Sequence, residues 1–300
     1  MVRETMVEIR PRRSVLSMPG SNPRALEKAT TLPADAVMID LEDAVAPEVK
    51  DAAREAVAAA VAGRRFGRRE VAVRINPLDG AHGEADLAAL AAAGPDAIVV
   101  PKVSGPEALV AVGGRLRRLG APESTRVWAM IETPLAILRI GAIASAARDV
   151  DARLSCLVLG PNDLAKAARL RLGVPGRPAL MPWLMSAIAA ARAYEIDILD
   201  GIYNAFRDEA GFQAEAEQGR DCGFTGKMLI HPSQIAAANL AFGPTEAEIA
   251  EARAVIAAFA LPENRERGAI PLNGRMIERL HAEDARRVVA LADAIGAVED

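Results

Sequence analysis

The chain has 300 residues, of which 51% are hydrophobic and 25% are charged, so it can bury a large core. The formal net charge of −4 and the pI near 5.6 argue against a nucleic-acid-binding protein, because such proteins usually carry a basic excess on one face. Two cysteines are too few for a disulfide framework and favour a reducing, cytoplasmic location. No apolar run approaches the ~20 residues that a membrane-spanning helix needs.

Eight short apolar runs recur along the chain and predict β-strands. Each of the first seven is followed by enough alanine-rich chain to form a helix and return, which predicts that the strands are parallel. Eight parallel strands that close on themselves form a (β/α)₈ TIM barrel, in which functional groups lie on the loops after the strands. The runs are Ser14–Met18, Ala36–Asp40, Val71–Ile75, Ala97–Val100, Val127–Ile131, Leu154–Leu159, Ile196–Leu199 and Gly226–Ile230.

The sequence predicts a catalytic barrel domain over residues 1–241 and a C-terminal helical extension over residues 242–300. The extension contains one helical pattern at Glu246–Phe259 and a second near Met276–Ala297, and it is too small to be expected as an independent domain. We expect it to pack on the barrel or on a neighbouring subunit. The connecting helices of the barrel are predicted at Pro106–Leu119, Leu135–Ala147, Pro182–Tyr194 and Asp208–Gly219.

Two carboxylates, Glu132 and Asp163, follow the fifth and sixth predicted strands. Carboxylates that converge from neighbouring strands suit a hard cation such as Mg²⁺, which completes its octahedron with water and substrate oxygens. No His or Cys accompanies them, so zinc is disfavoured. The alternative is structural: Asp163 could cap a helix and Glu132 could pair with an arginine.

Further charged residues follow strands two, three and four. Asp40, Glu42 and Asp43 should face a cation, a metal-bound water or other donors, or else form a turn rich in caps. Arg74 suits a substrate carboxylate, since a guanidinium grips it with two parallel hydrogen bonds, but a salt bridge to these acidic residues is the alternative. Lys102 could form a Schiff base, although neighbouring carboxylates should keep its pKa high.

Arg24 and Lys28 lie one helical turn apart in the segment after the first strand. They would project from one face of a helix and could bind a phosphate, although a solvated helix face is the default interpretation of such a pair.

Seven motifs, in chain order from about Arg13, resemble those of the citrate lyase β-subunit-like CoA ester lyases of the HpcH/HpaI aldolase superfamily. That group includes malyl-CoA lyases, citramalyl-CoA lyases and malyl-CoA thioesterases. The motifs are Arg13–Asn22, Ile39–Val45, Val73–Asn76, Val100–Val103, Ile131–Pro134, Asn162–Ala165 and Gly226–Pro232.

The resemblance implies a set of roles for the residues that follow the strands. It implies a Mg²⁺ ion bound by Glu132 and Asp163, and it implies that Arg74 holds the carboxylate of a 2-oxo or hydroxy acid. Glu42 and Asp43 would be outer partners of metal-bound water.

The resemblance also implies that Arg24 and Lys28 contact coenzyme A phosphates and that the chain forms a homo-oligomer, a trimer or a hexamer. In such proteins the C-terminal segment of one subunit closes the active site of the next. The lyases carry a catalytic aspartate in a Gly-x-Met-(Val/Ile)-Asp motif of this segment, where the present sequence has Glu278.

The activity that the resemblance implies is that of a Mg²⁺-dependent CoA ester lyase or thioesterase. Its substrate would be a 3-hydroxy-3-carboxyacyl-CoA such as (S)-malyl-CoA, converted by retro-Claisen cleavage to a 2-oxo acid and acetyl-CoA or by thioester hydrolysis. The alternatives are a citryl-CoA or citramalyl-CoA lyase, a lyase subunit acting on an acyl-carrier-protein-bound substrate, and a non-catalytic CoA-binding protein.

Overall fold

The computed structural model describes residues 9–299, which form two compact units: Arg12–Phe242, and residues 9–11 together with 243–299. The larger unit is a closed barrel of eight parallel strands in chain order, so the predicted TIM barrel is confirmed. The strands are β1 (Ser14–Pro19), β2 (Ala36–Asp40), β3 (Glu70–Arg74), β4 (Ala97–Val100), β5 (Arg126–Ile131), β6 (Leu154–Leu159), β7 (Asp197–Asp200) and β8 (Gly226–Leu229).

The barrel closes where β1 pairs in parallel with β8, with Ser14 opposite Lys227. Alternate side chains of the strands point in opposite directions. One set, which includes Trp128 and Met130, forms a small buried cluster that fills the barrel, and the other packs in a larger cluster with the surrounding helices. Because all strands run the same way, their carboxyl ends form one rim, called here the carboxyl rim.

Ten helices accompany these strands in the larger unit. The prediction of one helix over Leu135–Ala147 is wrong, because the backbone at Arg139 leaves helical geometry (φ −109°, ψ 13°) and separates two short helices. The helices are α1 (Pro23–Ala29), α2 (Lys50–Ala62), α3 (Gly83–Ala93), α4 (Pro106–Arg118), α5 (Pro134–Leu138), α6 (Ile140–Ser145), α7 (Pro161–Ala168), α8 (Met181–Ala193), α9 (Glu209–Cys222) and α10 (Ile235–Phe242).

The smaller unit contains a β-hairpin between its two helices. Met276, predicted to begin the last helix, lies instead in the second strand of this hairpin. Asn273 and Gly274 form its two-residue turn, both with positive φ (50° and 76°), the geometry that an Asn-Gly pair favours. The elements are α11 (Glu246–Ala260), β9 (Ala269–Leu272), β10 (Arg275–Glu278) and α12 (Arg279–Glu299).

Within residues 9–299, no helix combines the length and the apolar character needed to cross a membrane.

Candidate active site

Arg74, the last residue of β3, forms a bidentate ion pair with Asp40, the last residue of β2. Arg74 Nε donates to Asp40 Oδ1 at 2.7 Å and Nη2 donates to Oδ2 at 2.6 Å. The backbone amides of Glu42 and Ala44 also donate to this carboxylate. Burial alone would raise the pKa of Asp40, but the guanidinium of Arg74 and the two backbone amides together outweigh burial and lower the pKa below its ordinary value. The salt bridge anticipated as an alternative role for Arg74 therefore exists.

Glu42 is buried at the carboxyl rim between two cations. Lys102 Nζ contacts Glu42 Oε1, and Arg74 Nη1 lies 3.0 Å from Glu42 Oε2. Asp43 is exposed, with Oδ2 3.6 Å from Lys102 Nζ and 4.0 Å from Arg74 Nη1. Burial raises the pKa of Glu42 despite these cations. The chain thus holds an arginine, a lysine and three carboxylates together.

Lys102 joins this cluster to Glu132. Its backbone amide donates to Glu132 Oε1 at 2.7 Å, and its φ of +52° lies in the left-handed region that is costly for residues other than glycine. Burial lowers the pKa of the Lys102 ammonium, but the hydrogen bond to Glu42 and the nearby carboxylates outweigh burial and raise it. The high pKa expected from the sequence disfavours a Schiff base.

Glu132, which follows β5, is the most unusual group of the rim. It is 1% exposed, and its Oε2 is buried without a hydrogen-bond partner. Burial raises the pKa of Glu132 from its ordinary value of 4.5 to about 7; the Lys102 amide and the charge of Arg74 oppose this shift, and the charges of Glu42 and Asp163 add to it. A buried polar atom without a partner is costly, so Glu132 Oε2 is an oxygen that a ligand could satisfy.

Asp163 lies half-buried in the first turn of α7, the helix that follows β6, and β6 pairs with β5, the strand that precedes Glu132. Between them in the chain, Gly160 approaches Glu132 so closely that a Cβ at position 160 would lie 2.9 Å from Glu132 Oε2. The glycine therefore keeps the space beside this oxygen open. Residues 9–299 contain no group of three His, Cys, Asp or Glu side chains that could hold a metal, so any cation here would take one or two carboxylates and oxygens from water or substrate.

Three further contributors were given no role from the sequence: Gly160, Lys50 and Asn76. Asn76 Nδ2 donates to Leu41 O at 2.8 Å, and Lys50 Nζ donates to the same carbonyl at 2.8 Å. The position of Gly160 between a strand and a carboxylate-bearing helix was a usable signal, because such glycines often permit close approach. The sequence offered no usable signal for Lys50, because this residue lies away from every strand exit.

The contacts described above do not involve the remaining predicted residues. Arg24 and Lys28 are exposed on α1, the helix that follows β1. Glu278 belongs to the smaller unit, where it is exposed at the end of β10, and its backbone amide donates to His281 Nδ1 at 2.9 Å.

Comparison with known proteins places this geometry in a family. The profile of the HpcH/HpaI aldolase/citrate lyase family matches residues 13–232. The chain is 45% identical to a (3S)-malyl-CoA thioesterase of Cereibacter sphaeroides (96% of both chains) and 34% identical to the citrate lyase β subunit of Escherichia coli (97% of this chain, 96% of that one).

A solved structure of CitE from Mycobacterium tuberculosis, in complex with magnesium, acetoacetate and coenzyme A, is similar with a TM-score of 0.72. It is 28% identical to the present chain, and the match covers 92% of this chain and 97% of that one. The chain belongs to the HpcH/HpaI aldolase/citrate lyase family.

Proposed function

We propose that the chain is a Mg²⁺-dependent enzyme that acts on the CoA thioester of a 3-hydroxy-3-carboxy acid such as (S)-malyl-CoA, by hydrolysis or by C–C cleavage. The observation that carries this proposal is the unpartnered Oε2 of Glu132 beside the space that Gly160 leaves open. Residues that leave a buried carboxylate oxygen unsatisfied in the protein alone are suited to a ligand that supplies positive charge.

The residues present fit a magnesium ion. Glu132 and Asp163 would hold it, because Mg²⁺ takes one or two carboxylates and keeps its other positions for water and substrate oxygens. When bound, the ion would supply positive charge to the hydroxyl and carboxylate oxygens of the substrate and lower the pKa of the hydroxyl. The CitE structure, whose complex contains magnesium, acetoacetate and coenzyme A, supports the same chemistry here.

Arg74 would bind the carboxylate of the acyl group. Asp40 occupies the Nε–Nη2 edge of the guanidinium, and Glu42 Oε2 lies 3.0 Å from Nη1. The guanidinium has five N–H donors, so one on Nη2 and one on Nη1 would still be available to the substrate carboxylate. The Asp40 carboxylate is itself fixed by two backbone amides. Arg74 is therefore oriented before substrate binds, which reduces the entropy lost on binding.

Arg24 and Lys28 would bind the phosphates of coenzyme A. Both are exposed and one helical turn apart on α1, so a single phosphate group can contact both side chains. Their helix follows β1 at the carboxyl rim, where the acyl group would bind.

Hydrolysis is the reaction we favour, with C–C cleavage as the alternative. The chain is more similar to the thioesterase, at 45% identity, than to the citrate lyase β subunit, at 34%, and it has Glu278 where the lyases have aspartate. Glu278, or the exposed Asp43 of the rim, would accept a proton from water as the water oxygen bonds to the thioester carbon. The C–S bond then breaks, and coenzyme A leaves as the thiol after taking up a proton.

We also propose that the smaller unit of one subunit reaches the active site of its neighbour in a homotrimer or homohexamer. The exposed position of Glu278 at the end of β10 leaves its carboxylate available to another chain. A cytoplasmic location is the corresponding proposal for the compartment, and it is supported by the free thiols of Cys156 and Cys222.

Product analysis tests the proposed function. The protein is incubated with (S)-malyl-CoA and Mg²⁺, with a trap for glyoxylate, and the products are separated. Hydrolysis yields free coenzyme A and malate, whereas cleavage yields acetyl-CoA and glyoxylate; we expect the first pair, and its loss on adding EDTA. Absence of both pairs, with citramalyl-CoA and citryl-CoA also unreactive, would overturn the proposal.

A further inference from the structure

Lys50, the first residue of α2, directs its ammonium group at the loop that carries Glu42. Its Nζ donates to Leu41 O at 2.8 Å, to Glu42 O at 2.6 Å and to Asn76 Oδ1 at 2.8 Å. An ammonium group has three N–H donors, so all three are used. Two of them hold consecutive carbonyl groups on either side of Glu42 Cα.

These contacts are not explained by the stability of the helix. A cation in the first turn of a helix is unfavourable, because the N-terminus already carries partial positive charge. The three partners of Lys50 are neutral oxygen atoms, so the contacts lack the charge pairing that makes hydrogen bonds strongest. A residue that breaks a local rule in this way is often retained for function.

The contacts are also not needed to satisfy the two carbonyl groups. Leu41 O accepts a second hydrogen bond from Asn76 Nδ2 at 2.8 Å, and Glu42 O accepts one from Val45 N at 3.2 Å. Loss of Lys50 would therefore leave neither carbonyl without a partner, so the cost of an unsatisfied buried group would fall on Asn76 Oδ1 and not on the main chain of Glu42.

Lys50 instead fixes the direction in which the Glu42 side chain leaves the backbone. The amide of Glu42 is held by Asp40 Oδ1 at 2.9 Å, so this amide and the Leu41 carbonyl orient the peptide plane before Glu42 Cα. Lys50 contacts that plane and the next one together. With both planes fixed, the direction of the Cα–Cβ bond is fixed as well, and the carboxylate that it carries contacts Lys102 and lies 3.0 Å from Arg74 Nη1.

We propose that Lys50 is a positioning residue for the reaction, acting through the main chain of Glu42 to keep its carboxylate against Arg74 and Lys102. The proposal rests on the proposed function for its kinetic consequences and on the contacts above for its geometry. Lys50 acts on Glu42 and leaves Glu132 and Asp163 untouched, so its removal should affect turnover and spare metal binding.

The first test replaces Lys50 by methionine, whose unbranched side chain is one atom shorter and lacks the three donors. We expect kcat to fall about 10- to 100-fold, the range that misplacement by about 1 Å produces. The KM for the CoA ester and the Kd for Mg²⁺ should stay within about twofold, because Lys50 contacts none of the side chains proposed to hold the ion or the ester directly. Glu55→Gln, an exposed change on the same helix, is the matched control and should leave kcat unchanged.

A double-mutant cycle separates positioning from general destabilisation. If Lys50 acts through Glu42, adding Lys50→Met to a Glu42→Gln variant should lower kcat little further. If the two residues act independently, the fold-decreases of the two single variants would multiply in the double variant. Multiplied effects would overturn the proposal, as would a Lys50→Met enzyme with wild-type kcat. Should Lys50→Met fail to fold, Lys50→Arg gives the same test, since it keeps the charge but has no nitrogen with three N–H donors for the two carbonyl groups and Asn76 Oδ1.

Crystal structures of the wild-type protein and of Lys50→Met test the inference without any activity. We expect the Glu42 carboxylate of the variant to move by about 1 Å or more from Arg74 and Lys102, the displacement that the kinetic loss requires. An unmoved carboxylate would overturn the inference. If the wild-type protein hydrolyses and cleaves no CoA ester, the proposed function fails while this comparison still decides the role of Lys50.

Discussion

Gly160 lies so close to Glu132 that a Cβ at position 160 would stand 2.5 Å from Glu132 Cβ and 2.9 Å from Oε2. Gly160→Ala should therefore displace the Glu132 carboxylate or fill the space beside it. We expect the affinity for Mg²⁺ to fall roughly 10- to 100-fold, as when the support of a metal ligand is removed. Isothermal titration calorimetry with Mg²⁺ measures this affinity.

Gly141→Ala is the matched control, because no atom lies within 4 Å of a Cβ added there in α6. This change should leave Mg²⁺ affinity intact and raise the free energy of unfolding slightly, by up to about 1 kcal/mol, the preference of a helix for alanine over glycine. Equal Mg²⁺ affinities for the two variants would contradict the role assigned to Gly160.

The pKa of Glu132 gives a pH dependence of stability in the metal-free protein. Its folded-state pKa is raised from 4.5 to about 7 by burial, so the folded state holds a proton that the unfolded state releases. The stability linked to this proton is fully present below about pH 4.5 and is lost as the pH rises to about 7; the difference is up to about 3 kcal/mol. Between pH 5 and 8, the free energy of unfolding should fall less in Glu132→Gln than in the wild type. The free energy of unfolding is measured at each pH by urea titration in EDTA. An equal change with pH in both proteins would rule this prediction out.

Arg74→Lys should retain the positive charge but lose the bidentate pair with Asp40 and the planar fork for the substrate carboxylate. We expect kcat/KM for the CoA ester to fall about 100-fold, since truncating a buried charged hydrogen bond commonly costs 2–5 kcal/mol. The Kd for Mg²⁺ should change little. Arg115→Lys, at a half-buried arginine paired with Glu84, is the control for the chemical change, and a similar loss of kcat/KM there would refute the role assigned to Arg74.

The proposed exchange of C-terminal units predicts complementation between two inactive variants. Glu132→Gln removes a residue of the barrel, and Glu278→Gln removes one of the hairpin. In a cyclic oligomer assembled at random from equal amounts of the two variants, each site has an intact barrel in about half of the cases and an intact hairpin from its neighbour in about half. About one site in four would therefore be intact. Coexpression should therefore restore about a quarter of the wild-type rate. No recovery in an oligomer shown to contain both chains would mean that Glu278 does not act across subunits.

The barrel could be predicted because its strands are buried on both faces and read as apolar runs at regular spacing. The smaller unit was predicted less well, although its hairpin carried a local signal. Asn273-Gly274 is the strongest two-residue turn pattern known for hairpins. The helical periodicity of the following residues obscured it, and the predicted helix began three residues too early.

The site was predictable in its residues but not in their pairing. The parallel strands of the barrel bring Glu42, Arg74 and Glu132 to one rim, and this follows from the backbone topology without any knowledge of side-chain contacts. The sequence could not show that Lys102 would use its amide for Glu132 and its ammonium for Glu42, because this depends on a left-handed backbone conformation. The sequence also could not predict the contacts of Lys50, because they arise only when α2 packs beside the rim.

The central claim is that Glu132 and Asp163 bind the magnesium ion on which the reaction depends. Its most direct test is to titrate Mg²⁺ into the wild-type protein, Glu132→Gln and Asp163→Asn, by calorimetry and by release of coenzyme A from (S)-malyl-CoA. We predict one ion bound per wild-type chain, and in each variant a Kd raised at least roughly 100-fold with a parallel loss of turnover. Unchanged Mg²⁺ affinity in both variants, or full wild-type turnover in EDTA, would contradict the account.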